Sequence, residues 1–166
     1  MKNNEAICAG SFDPPTLGHI NIVERGLKIF DKITVAIAIN ISKQPILSVT
    51  ERENLLKAMF KNNQNVEVTS FKGLLVEFAK KRKCHTLLRG IRNMSDYEYE
   101  SQMSLANKAL SPELDTIFMM TEGKYSHLSS SFIKGIIASG GSCKGMIHPL
   151  VEKVLKKKLC DFPNAF

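Results

Sequence analysis

The chain has 166 residues and a mass of 18.5 kDa, which suits one domain and not two, because a domain takes roughly 100–200 residues. With 43% hydrophobic and 23% charged residues it lies near the globular average, outside the range in which chains stay disordered. Its 23 Lys and Arg against 16 Asp and Glu give a net +7 and a pI near 9.3; that favours anionic partners without separating nucleic acid from nucleotides, phosphorylated metabolites or acidic membrane.

Short apolar segments alternate along the chain with stretches of helical spacing. Ala6–Ala9 reads as a first strand, and Leu17, Ile20, Val23, Leu27 and Phe30 as the apolar face of a first helix. Ile33–Ile39 is a second strand, apolar at nearly every position as a strand buried on both faces should be. Leu55, Leu56, Met59 and Phe60 mark a second helix, Val66–Val68 a third strand, and Leu74, Leu75, Phe78 and Ala79 a third helix. Thr86–Leu88 and Thr116–Met119 complete five strands, each followed by a helix, from about Asp96 to Leu110 and from about Ser129 to Ser139. A last helix opens with Pro149 at its first position and runs to about Lys158; Leu159–Phe166, with Pro163, reads as an irregular tail beyond a single domain of residues 1–158.

Each parallel pairing needs a crossover, so this alternation predicts an α/β fold: a Rossmann-like, doubly wound, five-stranded parallel sheet in a single domain. The longest apolar run, Ile33–Ile39, is far short of the roughly 20 residues that cross a membrane. Glu5 and Gly10–Asp13 interrupt any signal-peptide pattern, which points to the cytoplasm. Cys8, Cys84, Cys143 and Cys160 contain no C-x-x-C and read as reduced thiols.

Ligands of such sheets bind outside the carboxyl ends of the strands, where strand order reverses. The loops there are Gly10–His19, Asn40–Lys43, Arg89–Asn93 and Thr121–Ser131, crowded with cations and hydroxyls suited to a polyphosphate. In the first loop Gly10 permits a sharp turn, Ser11 supplies a hydroxyl, and Thr16-Leu17-Gly18-His19 opens a helix with an N-cap and a glycine. Free N–H groups at a helix start attract phosphate, and His19 in the first turn can donate to one of its oxygens. A lone histidine there would be a polar cap; within this whole segment, directly after a strand, the functional reading is favoured. Lys43 alone would be a surface lysine, but after the second strand its stem can carry a charge to the first loop. Arg89 and Arg92 suit phosphate, and could equally pair with Glu98 or Glu100. One residue of Ser129-Ser130-Ser131 should cap the fifth helix. His85 and His148 read as surface or packing residues, while His127 is as consistent with a surface role as with ligand contact. Gly135–Ser142 nearly spells a P-loop, but it lacks the lysine and follows a helix, so it reads as a helix end. Lys80–Lys83 and Lys156–Lys158 lack the interleaved aromatics that nucleic acid would stack on.

Thr16-x-Gly18-His19 is the T-x-G-H form of the (H/T)-x-G-H signature, and the chain resembles the phosphopantetheine adenylyltransferase family within that nucleotidyltransferase superfamily. Ile41-Ser42-Lys43, Leu88–Arg92 continuing to Asp96-Tyr97-Glu98-Tyr99-Glu100, and Leu128–Lys134 match in order and spacing. The resemblance implies adenylyl transfer from ATP to 4′-phosphopantetheine by direct in-line attack, without a covalent intermediate. It implies catalytic roles for His19, Lys43, Arg92 and Ser11. ATP would contact Ser11, Phe12, His19, Gly90, Ile91, Arg92, Glu100 and Tyr125, Ser126, His127, Leu128, Ser129, Ser130 and Ser131. The acceptor would contact Ser11, Lys43, Leu75 and Arg89. Leu74, Leu75, Met103 and Leu105 could line a groove for the pantetheine arm or belong to the core. Mg2+ would bridge phosphates with no protein ligands. Hexamers and feedback by coenzyme A are further implications. The alternatives are another adenylyl- or cytidylyltransferase, acting on nicotinate mononucleotide or glycerol phosphate, and a non-catalytic nucleic-acid-binding protein. Ser11 in place of a common threonine, Ala9 in place of a common proline, and Lys134 where arginine also occurs are the departures from the family pattern.

Overall fold

Residues 33–37 are buried without interruption, and the rest of the architecture is laid around them. A computed structural model describes residues 4–40 and 44–161. The strands are β1 (Glu5–Gly10), β2 (Lys32–Ile39), β3 (Val66–Lys72), β4 (Thr86–Ile91) and β5 (Asp115–Met120). The helices are α1 (Leu17–Gly26), α2 (Val49–Met59), α3 (Leu75–Lys81), α4 (Met94–Leu110), α5 (Ser130–Ala138) and α6 (Pro149–Asp161), with one 3₁₀ turn at Gly123–Tyr125. The strands form a single parallel sheet in the order β3-β2-β1-β4-β5. The chain thus starts in the middle, winds out to β3, returns beside β1 as β4 and winds the other way, as a doubly wound Rossmann-like sheet does.

The two-residue period of a strand sorts the core. Ala6 and Cys8 of β1, with Ile33, Val35 and Ile37 of β2, join Ile22 and Val23 of α1 and Leu56 of α2 on one face. Ile7, Ala9, Ala36 and Leu87 point the other way, to Val76 and Ala79 of α3. A third cluster brings Leu55 of α2, Ile133 and Ile137 of α5, and Val151 and Leu155 of α6 together with Leu47 and Leu128. That cluster stacks α5 and α6 against the loops at the carboxyl end of the sheet. α4 is different: it has no buried residue, and Met94, Tyr99, Leu105 and Leu110 are at least 60% exposed.

The boundaries move where local chemistry overrides spacing. The apolar period predicts a first helix through Phe30, yet α1 ends at Gly26; hydrogen-bonded turns carry the chain onward, and Phe30 is buried without being helical. α2 begins where Ser48 and Glu51 form a reciprocal capping box, ahead of its first apolar pair. α6 continues to Asp161, past the expected end near Lys158, and residues 162–166 lie outside the described ones. The P-loop look-alike is the end of α5 followed by Gly140 at φ 79°, as its position after a helix requires.

Gly26 shows how closely α1 meets the sheet. A Cβ there would lie 2.6 Å from Leu88 Cδ2 and 2.7 Å from Ile33 Cδ1, both on fully buried side chains. Overpacking of this kind costs about 1–3 kcal/mol, more than the helix propensity alanine would add. Gly26→Ala should therefore lower the midpoint of urea denaturation without changing its slope.

Candidate active site

The reversal of strand order puts β1 and β4 side by side, and their backbones register at one position, Ile7 with Leu87. Beyond it the seam is bridged by a side chain. Arg89 of β4 donates one N–H to the Ala9 carbonyl of β1. Its other two nitrogens fork onto Glu100 of α4, Nε to Oε2 at 2.7 Å and Nη2 to Oε1. Arg92, just past β4, forks onto Asp96, with Nε–Oδ2 at 2.7 Å and Nη2–Oδ1 at 2.9 Å, and donates through Nη1 to the Leu128 carbonyl at 2.8 Å. Both arginines are ion-paired, Arg89 with Glu100 as one alternative allowed and Arg92 with Asp96 rather than with Glu98 or Glu100. Each uses three of its five donors, and both line a cavity of about 340 Å3 at this end of the sheet.

The same cavity is lined by Ser11, Phe12, Thr16, Gly18 and His19 from the β1–α1 segment, by Gly90, and by Leu128, Ser129, Ser130 and Ser131 at the start of α5. Ser129 is the cap of α5, its Oγ accepting from the Phe132 N–H at 3.0 Å. Ser130 donates its hydroxyl to the Pro14 carbonyl at 2.9 Å, which fastens α5 to the first loop.

His19 is held at one ring nitrogen. The Thr16 backbone N–H donates to Nδ1 at 2.9 Å, and Thr16 Oγ1 accepts from the His19 N–H at 3.4 Å in a capping box. A backbone N–H can only donate, so Nδ1 is the acceptor and a neutral ring carries its proton on Nε2. Burial, and then the charges of Arg92 and Arg89, push the pKa from 6.5 down to about 4. Near neutral pH the side chain is a fixed, uncharged Nε2–H donor between two cations.

The loops are fastened beneath the cavity by groups that motif spacing did not single out. Asp13 is buried, and its carboxylate accepts the Ile46 and Leu47 N–H groups at 3.1 and 2.9 Å and Lys134 Nζ at 3.3 Å. Arg52, also buried, donates to the Ser11 carbonyl at 2.7 Å and to the Ser48 carbonyl at 3.3 Å. Asn21 of α1 donates to Glu122 at 2.8 Å, and Arg25 to the Met120 carbonyl at 2.6 Å, tying α1 to the loop after β5. The charge on Lys134 is thus spent on Asp13.

The family model described as cytidylyltransferase-like matches residues 7–136, from β1 into α5. A phosphopantetheine adenylyltransferase from Clostridium tetani is 46% identical over 155 residues, covering 93% of this chain and 97% of the relative. The chain belongs to the phosphopantetheine adenylyltransferase family. Among solved structures, a Vibrio parahaemolyticus protein assigned as a nicotinate-nucleotide adenylyltransferase superposes with a TM-score of 0.69. It covers 91% of this chain and 97% of its own at 20% identity, a likeness of fold.

As a member of the phosphopantetheine adenylyltransferase family, the chain places most of its expected site residues around one cavity and leaves others out of its lining. Ile91 is buried in the sheet. Tyr125, Ser126 and His127 do not line the cavity; Tyr125 packs in the cluster under α5 and α6 and lies near Gly18. His127 is exposed, in edge contact with Phe132. Leu75 packs at the edge of the α3 core. Leu74, Met103 and Leu105 are exposed, not core. Lys43 lies outside the described residues. Thr121 and Asp96, which do line the cavity, were missed as site residues, because neither carries a signal beyond its place in a loop or a helix start.

A histidine whose folded pKa lies below its unfolded value destabilises the fold as pH falls from 6.5 toward 4, since the unfolded chain then binds the extra proton. The urea midpoint should therefore drop between pH 7 and pH 5, and part of that drop should be absent in His19→Gln.

Proposed function

We propose that the chain transfers the adenylyl group of ATP to 4′-phosphopantetheine, releasing pyrophosphate and forming dephospho-coenzyme A, a step in coenzyme A synthesis. The observation that carries this reading is the neutral Nε2–H of His19, flanked by Arg92 and Arg89 across one cavity. The name of the Clostridium tetani relative supports the choice of substrates.

The acceptor's phosphate oxygen is already anionic near neutral pH, so the attack needs no strong base and no enzyme nucleophile. Its lone pair forms the new bond to the α-phosphorus while the bond from that phosphorus to the bridging oxygen breaks and pyrophosphate leaves. The protein's work is to hold two anions in line and to stabilise charge growing on the α-phosphoryl oxygens and the leaving group. His19 donates to the α-phosphoryl oxygen through Nε2, and a neutral donor suits a site already flanked by cations. Arg92 presents its unused donors to the ATP phosphates, and Arg89 to the acceptor phosphate. Ser11 orients the attacking group and Lys43 supplies a further charge. The first turn of α5 and the main chain of Phe12 receive the rest of the nucleotide, with Ile91, Glu100 and the segment Tyr125–His127 around it. The pantetheine arm lies over the exposed apolar side chains of Leu74, Met103 and Leu105, beside Leu75.

Magnesium would come with the nucleotide and would neutralise part of the phosphate charge. Asp96 and Glu100, the carboxylates of the cavity, are committed to arginines, and the described residues contain no cluster of three or more metal-ligating side chains. No helix of the described residues is long and apolar enough to cross a membrane; a cytoplasmic location is proposed separately, from the water-soluble substrates of the reaction. Coenzyme A, which contains the acceptor's arm, is proposed as a feedback inhibitor.

Pyrophosphate release from ATP should be fast with 4′-phosphopantetheine and slow with nicotinate mononucleotide or glycerol phosphate, and dephospho-coenzyme A should be detected by mass. Comparable rates with either of the other acceptors would reassign the substrate. Salt-sensitive binding to generic DNA without turnover would replace the enzyme reading altogether. His19→Ala should lower kcat about 10²–10³-fold, the value of one preorganised donor, with the fold intact.

α4 carries exposed apolar side chains and no buried residue, so it is unpartnered within the chain, and this supports the proposal of a homohexamer. Sedimentation equilibrium should return six times the 18.5 kDa chain mass; a monomer would refute it.

A further inference from the structure

We infer that Phe12 is a positioning residue for His19: its buried ring sets the plane of the imidazole and keeps water from the imidazole's protein-facing side. The inference rests on the adenylyl-transfer reading, in which His19 is the neutral donor.

The side chain of Phe12 faces inward. It is 2% exposed although it belongs to a loop at the cavity, and it packs with Cys8, Ile22 and Leu88. Its ring therefore cannot stack on a nucleotide base, and only its main chain is left for that ligand. The ring meets the imidazole edge-on instead, with centroids 5.1 Å apart and planes at 64°. This is the favoured geometry of an aromatic pair.

The backbone is bent to reach this position. Phe12 has φ 48°, a conformation that a bulky side chain rarely adopts. A less strained backbone would carry the ring elsewhere, so surrounding contacts must hold it. Space is kept for it at Gly10, where a Cβ would lie 3.3 Å from both Cε2 and Cζ of the ring. Strain retained by its surroundings beside reacting groups is a mark of function.

Two restraints then act on His19. The Thr16 N–H and Oγ1 both meet Nδ1 at 2.9 Å, yet contacts that converge on one atom leave the ring free to rock about it. The edge of Phe12 removes that freedom and aims Nε2–H. The groups facing His19 are Arg92 and Arg89 at the end of β4, whose charges act on it, with their partners Asp96 and Glu100 on α4. The start of α5 presents Ser129, Ser130 and Ser131, and Thr16 is the contact on its own helix. None of these is removed when Phe12 is changed. Burial is the largest cause of the low histidine pKa, and part of that burial is the Phe12 ring.

The test is Phe12→Leu in the full chain, which keeps an apolar side chain and loses the ring edge, with Phe12→Met as a second variant should the first fail to fold. Long-range proton–nitrogen NMR of the ligand-free protein reads the tautomer and titration of His19. In the wild-type chain one Nε2–H tautomer titrating at about 4 is expected. In the variant the Nε2–H tautomer, which the Thr16 N–H sets, should persist, while the midpoint should rise by about one unit or more. The acid limb of kcat should move up with it, and kcat should fall by about tenfold or more while KM for ATP changes little. In a His19→Ala background the same change should cost almost nothing further. An unchanged midpoint, or an equal loss of kcat in the His19→Ala background, would overturn the proposal. A wild-type chain inactive with 4′-phosphopantetheine would instead sink the reaction, and the NMR comparison would still decide what Phe12 does to His19.

Discussion

A site for two polyanions needs cations that stay in place before the ligands arrive, and free arginine side chains in water do not. In this fold each cavity-lining arginine is forked onto a carboxylate one helix away. Arg89 is held by Glu100 and Arg92 by Asp96, and each is also tied to a backbone carbonyl. The carboxylates lower the net charge of the pocket yet fix the geometry of the donors that remain. Ordering entropy is then spent during folding and not during binding, which is the basis of preorganised recognition. The Arg89 fork also bridges the seam between β1 and β4 where the backbones register at one position, so one side chain serves both sheet and site.

The same economy applies to His19. Burial disfavours a protonated imidazole here, and the two flanking guanidiniums repel it further. The fold resolves this by keeping the ring neutral and using a backbone N–H to choose which nitrogen carries the proton. The T-x-G-H spacing accomplishes that locally, because Thr16 is the N-cap and His19 the third residue of the helix, where side chain and cap backbone can reach each other. The motif is at once a helix cap and a device for presenting a donor.

Beneath the cavity, buried charge fastens segments that are far apart in the chain. Asp13 joins the first loop to residues 46 and 47 and to α5, and Arg52 returns from α2 to the Ser11 carbonyl. Buried charges persist when paired and hydrogen-bonded, and these satisfy main-chain groups that a buried loop would otherwise leave unmet. The first loop, the start of α2 and α5 are therefore joined as one unit beneath the cavity.

From the amino-acid order alone one could read the alternation of strands and helices, the parallel sheet it implies, and the loops that would hold function, because apolar periodicity and helix-start chemistry are local. Ser11, His19, Arg89, Arg92 and the serines of α5 were legible for the same reason: motif residues sit in fixed positions relative to strand ends. Which carboxylate each arginine takes was not legible, since Asp96, Glu98 and Glu100 share one short block and only the placement of α4 against β4 chooses between them. Asp13 and Arg52 were invisible as a clamp because their partners lie more than thirty residues away. Phe12 carried no sign that its ring would turn inward. Those choices are long-range, and they belong to the packing of helices across the sheet.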